Sequence, residues 1–286
     1  MKPGAGLHEL APVLVLELFP EERAALLELL LSLSGEEWGR PTVCPGWSAK
    51  DIAAHLLGDD IGRLSPGRDA FAGATFVPSG GDTSEAELLA FINCQNEAWV
   101  EATRRLSPRL LIDLLRWSGE ETQRYFESLD LFALGEPVSW AGQEPAPVWL
   151  DVAREYTERW LHQQQIRDAV GRPGLKERRL FAPVLDAFVR ALPHTYRDVG
   201  AAAGTRVRLT ITGGAGGSWS LLRGEGGWRL YGEAGGEPQA AVVLDQETAW
   251  RLFTKGISRD EALTGATITG DRALGLTVLD TVSIIA

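Results

Sequence analysis

Residues 41–60 read PTVCPGWSAKDIAAHLLGDD and place a turn, a helix start and a histidine side by side. Cys44-Pro45-Gly46-Trp47 has the composition of a tight turn, because glycine tolerates positive φ and proline presets its own. Ser48 and Asp51 follow as a capping box with aspartate in place of glutamate, which predicts a helix from Ala49 to about Gly62. His55 lies within that apolar helix, where leucine would be the cheaper residue to bury. It is either a packed histidine bonded to a nearby carbonyl or one corner of a site completed from elsewhere in the chain.

On either side of this stretch the pattern is helical up to residue 171. Pro20 suits a first helical turn, where its missing N–H is not needed, and opens a helix running to about Leu33. Residues 63–82 are rich in Gly, Pro and Ser and are expected to form a long loop. Ser84 and Glu87 form another capping box, for a helix to about Leu106, and Ser107-Pro108 starts the next, carrying Leu111, Leu114, Leu115 and Trp117. A last long helix spans Val148 to Val170 and is stopped by Gly171 and Pro173. These segments predict an all-α, up-down four-helix bundle.

The periodicity then changes. After a helix near 180–192, RVRLTIT, SWSLLR, GWRLYGE and AAVVL are separated by glycine turns, and helices are expected near 246–255 and 271–281. This predicts an α+β domain with an antiparallel sheet, and a domain division of 1–174 and 175–286. The glycines of GGAGG at 213–217 sit between strands and so punctuate a hairpin; a phosphate loop would open a helix.

The chain has 286 residues, 44% hydrophobic, with a net charge of −11. An acidic surface argues against nucleic acid or an anionic membrane as partner, leaving a small molecule. Lys176-Glu177-Arg178-Arg179 is too short a basic run to change this and reads as a solvated linker. The N-terminal apolar stretch is flanked by acids and lacks signal-peptide form, and no run approaches the ~20 apolar residues of a membrane span. Two cysteines, Cys44 and Cys94, match no metal or redox spacing, and a reducing cytoplasm is expected.

The candidate chemistry lies in REYTERWLHQQQIRD, residues 154–168. Glu158 and His162 are four apart and share a helix face, so both can address one ion. With His55 from another bundle helix they make two imidazoles and a carboxylate, with a fourth position open, the pattern of a catalytic zinc site; Mn, Fe, Co or Ni fit the same donors. The alternative is a packed His55 and a surface Glu158/His162 pair contributing ~0.3–0.5 kcal/mol. Spacing leaves both readings open. His8 and His194 have no spaced partner. Trp38 and Trp47 read as core residues that pin the turn, and Cys44 as packed within it.

Trp38, Pro41-Thr42, Cys44-Pro45-Gly46-Trp47-Ser48 and His55, followed later by Glu158, His162-Gln163 and Ile166-Arg167, resemble the signature of the mycothiol-dependent maleylpyruvate isomerase family. The resemblance spans nearly the whole chain. It implies a DinB-like metal-binding four-helix bundle followed by a sterol-carrier-like α+β domain, with His55, Glu158 and His162 as metal ligands. Asp59, one turn after His55, would be a supporting acceptor for the imidazole, a further ligand, or a solvated helix end. The family chemistry is metal-dependent: a low-molecular-weight thiol such as mycothiol adds to an activated double bond, and rotation and expulsion give the isomer. A different pocket would make the same site a thiol S-transferase or a hydrolase. The family uses an arginine of the C-terminal domain for anionic substrates, for which Arg223 is the candidate, with Arg63 and Arg68 as further anion contacts; the segments 63–82 and 132–147 would line the mouth of the pocket. A non-catalytic carrier of a small apolar ligand is the competing class.

Overall fold

The structure, a computed structural model, describes residues 8–71, 73, 85–232 and 235–284. The chain forms two compact units. Val15–Asp130 with Tyr156–Leu175 makes a helical unit; Leu131–Glu155 and Lys176–Ile284, with residues 8–14, make a sheet unit. The sequence division at 174/175 falls one residue before the Leu175–Lys176 junction, but Leu131–Glu155 clusters with the sheet unit, a grouping that a division continuous in sequence does not describe.

The helical unit contains α1 (Phe19–Leu31), α2 (Gly35–Trp38), α3 (Ala49–Arg63), α4 (Glu85–Thr103), α5 (Pro108–Glu127) and the second part of α6 (Val148–Val170). The local signals work as expected. Pro20 sits in the first turn of α1, both bonds of the Ser48/Asp51 capping box are formed, and Ser107 caps α5 ahead of Pro108. Gly171 ends α6 at φ 69°, and the Arg172 N–H donates back to the Arg167 carbonyl at 2.9 Å. At Leu64–Arg68 α3 continues as a π turn, where Pro66 supplies no N–H to the helical ladder.

Four of the five long helices share one core. Leu26 and Leu30 of α1, Ile52 and Leu56 of α3, Leu111 and Leu115 of α5 and Ile166 of α6 are sealed from solvent, with Trp38 beside them. Each such side chain contributes about 1.5–3 kcal/mol relative to exposure. The fifth helix, α4, lies along α3, sets the half-buried Trp99 against that core and buries Val100. Its indole Nε1 donates to the Ala54 carbonyl at 2.7 Å. Residues 72 and 74–82 of the expected loop, and Ser84 of the expected Ser84/Glu87 capping box, lie outside the described residues.

A polar knot runs through the same helices. Asp60 of α3 is fully buried and accepts from Arg23 of α1 at 2.8 and 3.0 Å, from Arg159 of α6 at 2.8 Å and from the Ser118 hydroxyl of α5 at 2.6 Å. Two guanidinium groups hold its carboxyl below the usual carboxylate range against the opposing effect of burial.

The sheet unit follows the expected change of period. Its helices are α7 (Arg178–Val189), α8 (Leu192–Thr195), α9 (Gln246–Phe253), α10 (Arg259–Gly265) and α11 (Arg272–Thr277). Its strands are β1 (Arg206–Thr212), β2 (Gly217–Gly224), β3 (Gly227–Tyr231), β4 (Ala240–Asp245) and β5 (Thr267–Gly270), in the order β3-β2-β1-β4-β5. Val207, Leu209 and Ile211 alternate inward from β1, which packs against α9, and α9 in turn packs against α7; Phe181, Leu185 and Phe188 of α7 and Phe253 of α9 are buried in the same unit.

The sheet departs from the expected antiparallel one in a single pairing: β1 and β4 are parallel, and the other three neighbours are antiparallel. The register gives the reason. Tyr231 at the end of β3 is level with Ser220, which is level with Arg208, while β4 enters with Ala240 beside Val207. The short β3 therefore ends near the level at which β4 must begin, and no long crossover is needed. Not expected from the sequence are the four-residue α2 and α8, α10, whose Ser258/Glu261 capping box is complete, and the four-residue β5, too brief to show a period.

Candidate metal centre

The capping box fixes the start of α3 and so fixes where His55 points. Its ring meets that of His162, from α6, edge to face, with centroids 4.6 Å apart and an interplanar angle of 85°. The two Nε2 atoms are 3.1 Å apart. Both rings are buried, 7% and 9% exposed. Burial pushes the pKa of each down to about 4, and for His162 the neighbouring His55 adds to the effect. Both imidazoles are therefore neutral at pH 7, the form that binds a metal.

Two carboxylates flank the pair. Asp59 Oδ2 is 3.4 Å from His55 Nε2, and Glu158 Oε2 is 3.7 Å from His162 Nε2. His55, Asp59 and His162 each offer a ligand atom within 4.8 Å of the others. Asp59 thus approaches the nitrogen that faces His162; an acceptor supporting the imidazole from behind would bind Nδ1 instead. Tetrahedral zinc with Zn–N bonds of ~2.0–2.1 Å places neighbouring donors about 3.3 Å apart. The 3.1 and 3.4 Å edges fit that set, and Glu158 lies slightly outside it. The donors suit the group.

The surroundings depart from the sequence reading in two places. Trp38 is core, as expected, but Trp47 is half-buried, with its ring centroid 5.1 Å from that of His55 and its Nε1 donating to Glu97 at 3.1 Å. It therefore forms a wall of the histidine pair as well as pinning the turn. Gln165 was not singled out. Its Oε1 lies 2.8 Å from His162 Nδ1 and 3.4 Å from the Cys44 sulfur. The available signal was its i, i+3 spacing from His162, weak within a run of three glutamines. Burial pushes the Cys44 thiol up, so it stays protonated and packed. Cys44 and Cys94 are both free thiols.

Arg223 lies in β2 of the sheet unit, paired with Trp228 and half-buried at the strand end. Arg68 is held by Asp69 and Glu121 at 2.8 Å each, which satisfies its charge as a surface ion pair. Arg63 places its guanidinium 5.9 Å from the Phe126 ring centroid. Among the described residues, no helix is long and apolar enough to cross a membrane.

Fold and cluster together define a two-part protein, a helical bundle carrying a histidine–carboxylate cluster and a five-stranded α+β unit. Residues 19–167 match the model of the mycothiol maleylpyruvate isomerase N-terminal domain, just over half of the chain, and the protein belongs to that family. The fold agrees along most of its length with the crystal structure of a histidine-mutant form of the mycothiol-dependent maleylpyruvate isomerase. The TM-score is 0.51 at 12% identity, over 89% of this chain and 91% of that one. A second crystal structure, of the mycothiol-dependent maleylpyruvate isomerase, aligns over 83% of this chain and 86% of that one, with 14% identity and a TM-score of 0.47. No curated protein matches the chain.

Proposed function

We propose that the protein is a metal-dependent enzyme that uses a low-molecular-weight thiol such as mycothiol, as an isomerase or thiol S-transferase acting on a small electrophilic substrate. The observation that carries this reading is the pair of buried, neutral imidazoles with Nε2 atoms 3.1 Å apart and carboxylates at 3.4 and 3.7 Å. Two rings sealed in a bundle core, with acids beside them, make poor packing but a good ligand set. His55, His162 and Glu158 would hold the ion, zinc first by donor type, with Asp59 close enough to join them. When bound, such an ion lowers the pKa of a coordinated thiol so that thiolate is present at neutral pH.

The protein's own contributions are separate from that. Burial keeps both imidazoles unprotonated, Trp47 covers one side of His55, and the Asp60 knot holds α3 against α6 beside the cluster. Arg223, the arginine that the resemblance assigns to an anionic substrate, belongs to the same proposal. Its replacement by glutamine would raise KM for an anionic substrate and leave metal content unchanged. A cytoplasmic site of action is part of this reading, and the two free thiols suit it.

The test is elemental analysis of wild type and His55→Ala, both without a histidine tag. About one metal per chain, lost in the variant while the circular dichroism is retained, supports the reading, and turnover of maleylpyruvate with mycothiol would extend it. No metal in wild type after reconstitution with zinc overturns it.

A further inference from the structure

We propose that Gln165 is a positioning residue that presents the Nε2 lone pair of His162 to the cluster, and that Cys44 holds Gln165 in place. This rests on the metal reading above.

Gln163, Gln164 and Gln165 follow one another on α6, so their side chains leave the helix about 100° apart. Each has a different task. Gln163 donates to the buried Glu22 carboxylate at 2.7 Å, and Gln164 donates to the Gly174 carbonyl at 3.1 Å. Gln165 is one turn beyond His162, and its carbonyl Oε1 stands 2.8 Å from Nδ1. An amide oxygen can only accept, so Nδ1 of His162 carries the hydrogen and donates. A neutral imidazole has one N–H, and Nε2, the atom facing His55, is left as a bare acceptor. That is the tautomer a metal needs, because the ligating nitrogen must offer its lone pair.

The same oxygen receives a second hydrogen bond, from the Cys44 thiol at 3.4 Å. Cys44 sits in the turn before α3, and its amide N–H in turn donates to the Thr42 hydroxyl at 3.2 Å. A protonated thiol is a donor, so both partners of Oε1 are donors and compete for no proton. The chain Cys44, Gln165, His162 thus orients the ring from the side opposite the cluster. It also gives a reason for cysteine in this turn that requires no nucleophilic chemistry.

The experiment uses the full-length protein and three variants. Gln165→Met keeps length and apolar stem but removes the acceptor; Gln165→Glu keeps an acceptor at the same reach; Cys44→Ala removes only the outer donor. Zinc affinity is measured by competition with a chromophoric chelator. The His162 tautomer is read from two-bond 1H–15N correlations of the chelator-treated protein. Gln165→Met is expected to weaken zinc about 10–100-fold, the range for a lost partner of a ligating histidine. It should also move His162 away from the Nδ1–H form with little change in Tm. Gln165→Glu should stay within a few-fold of wild type, and Cys44→Ala should fall between the two. Wild-type affinity together with an unchanged Nδ1–H signature in Gln165→Met would overturn the assignment. Failure of wild type itself to bind zinc would overturn the metal reading instead, and the tautomer spectra would still decide the role of Gln165.

Discussion

Asp60 and Arg159 meet at 2.8 Å with side chains 0% and 1% exposed, each one residue beyond a carboxylate of the cluster, Asp59 and Glu158. The pair locks α3 to α6 at the level of the histidines. Asp60→Asn would remove the carboxylate charge that buried Arg23 and Arg159 share. Breaking a buried pair from one side costs about 3–5 kcal/mol. Urea unfolding should show a loss of that size, and a loss below about 1 kcal/mol would mean that the knot does not hold the helices.

The histidine pair makes the metal-free protein acid-sensitive. Each imidazole has its pKa lowered from 6.5 to about 4 by burial, so the unfolded chain binds more protons than the folded one between those values. Stability therefore rises as pH increases from about 4 to 6.5 and levels off above. The slope is about 1.4 kcal/mol per pH unit for each ring. Thermal melts of chelator-treated protein across this window should show it, and His55→Phe should reduce it by about half, leaving the His162 contribution. An equally steep slope in the variant would place the acid sensitivity elsewhere.

The two carboxylates can be ranked. Glu158→Gln is expected to weaken zinc by more than about 100-fold, as for loss of a ligand, and Asp59→Asn by about 10-fold, as for a neighbour of one. Chelator competition on both variants decides the order. The reverse ranking would make Asp59 the ligand, as its shorter distance to a histidine nitrogen allows.

Gly58 is a glycine inside α3, where alanine would normally stabilise the helix by up to about 1 kcal/mol. A Cβ there would stand 2.7 Å from Trp99 Nε1 and 2.8 Å from its Cδ1. Gly58→Ala should therefore push α4 off α3 and cost a net ~1–3 kcal/mol. Trp99 becomes more exposed, and tryptophan emission shifts to the red. A variant more stable than wild type would show that α4 yields freely.

Much of the architecture is written in short windows. Ser48 with Asp51, Ser107 with Pro108, and Gly171 after α6 satisfy or stop a helix within one turn, so their meaning does not depend on what lies across the molecule. Alternation in Arg206–Thr212 likewise declares a strand with one buried face. The i, i+4 spacing of Glu158 and His162 nominates a site for the same reason, because a helix places them on one face.

Contacts across the fold were not legible in that way. His55 and His162 are separated by 107 positions, and spacing alone could not bring their nitrogens to 3.1 Å. Nor could it choose among three successive glutamines, or make β4 parallel to β1. Asp59 and Asp60 state the limit most plainly. They are the same residue type, adjacent in sequence and about 100° apart around one helix. One is 28% exposed beside a histidine; the other is wholly buried between two arginines. Local chemistry treats them alike, and only the helices packed against each face give them different work.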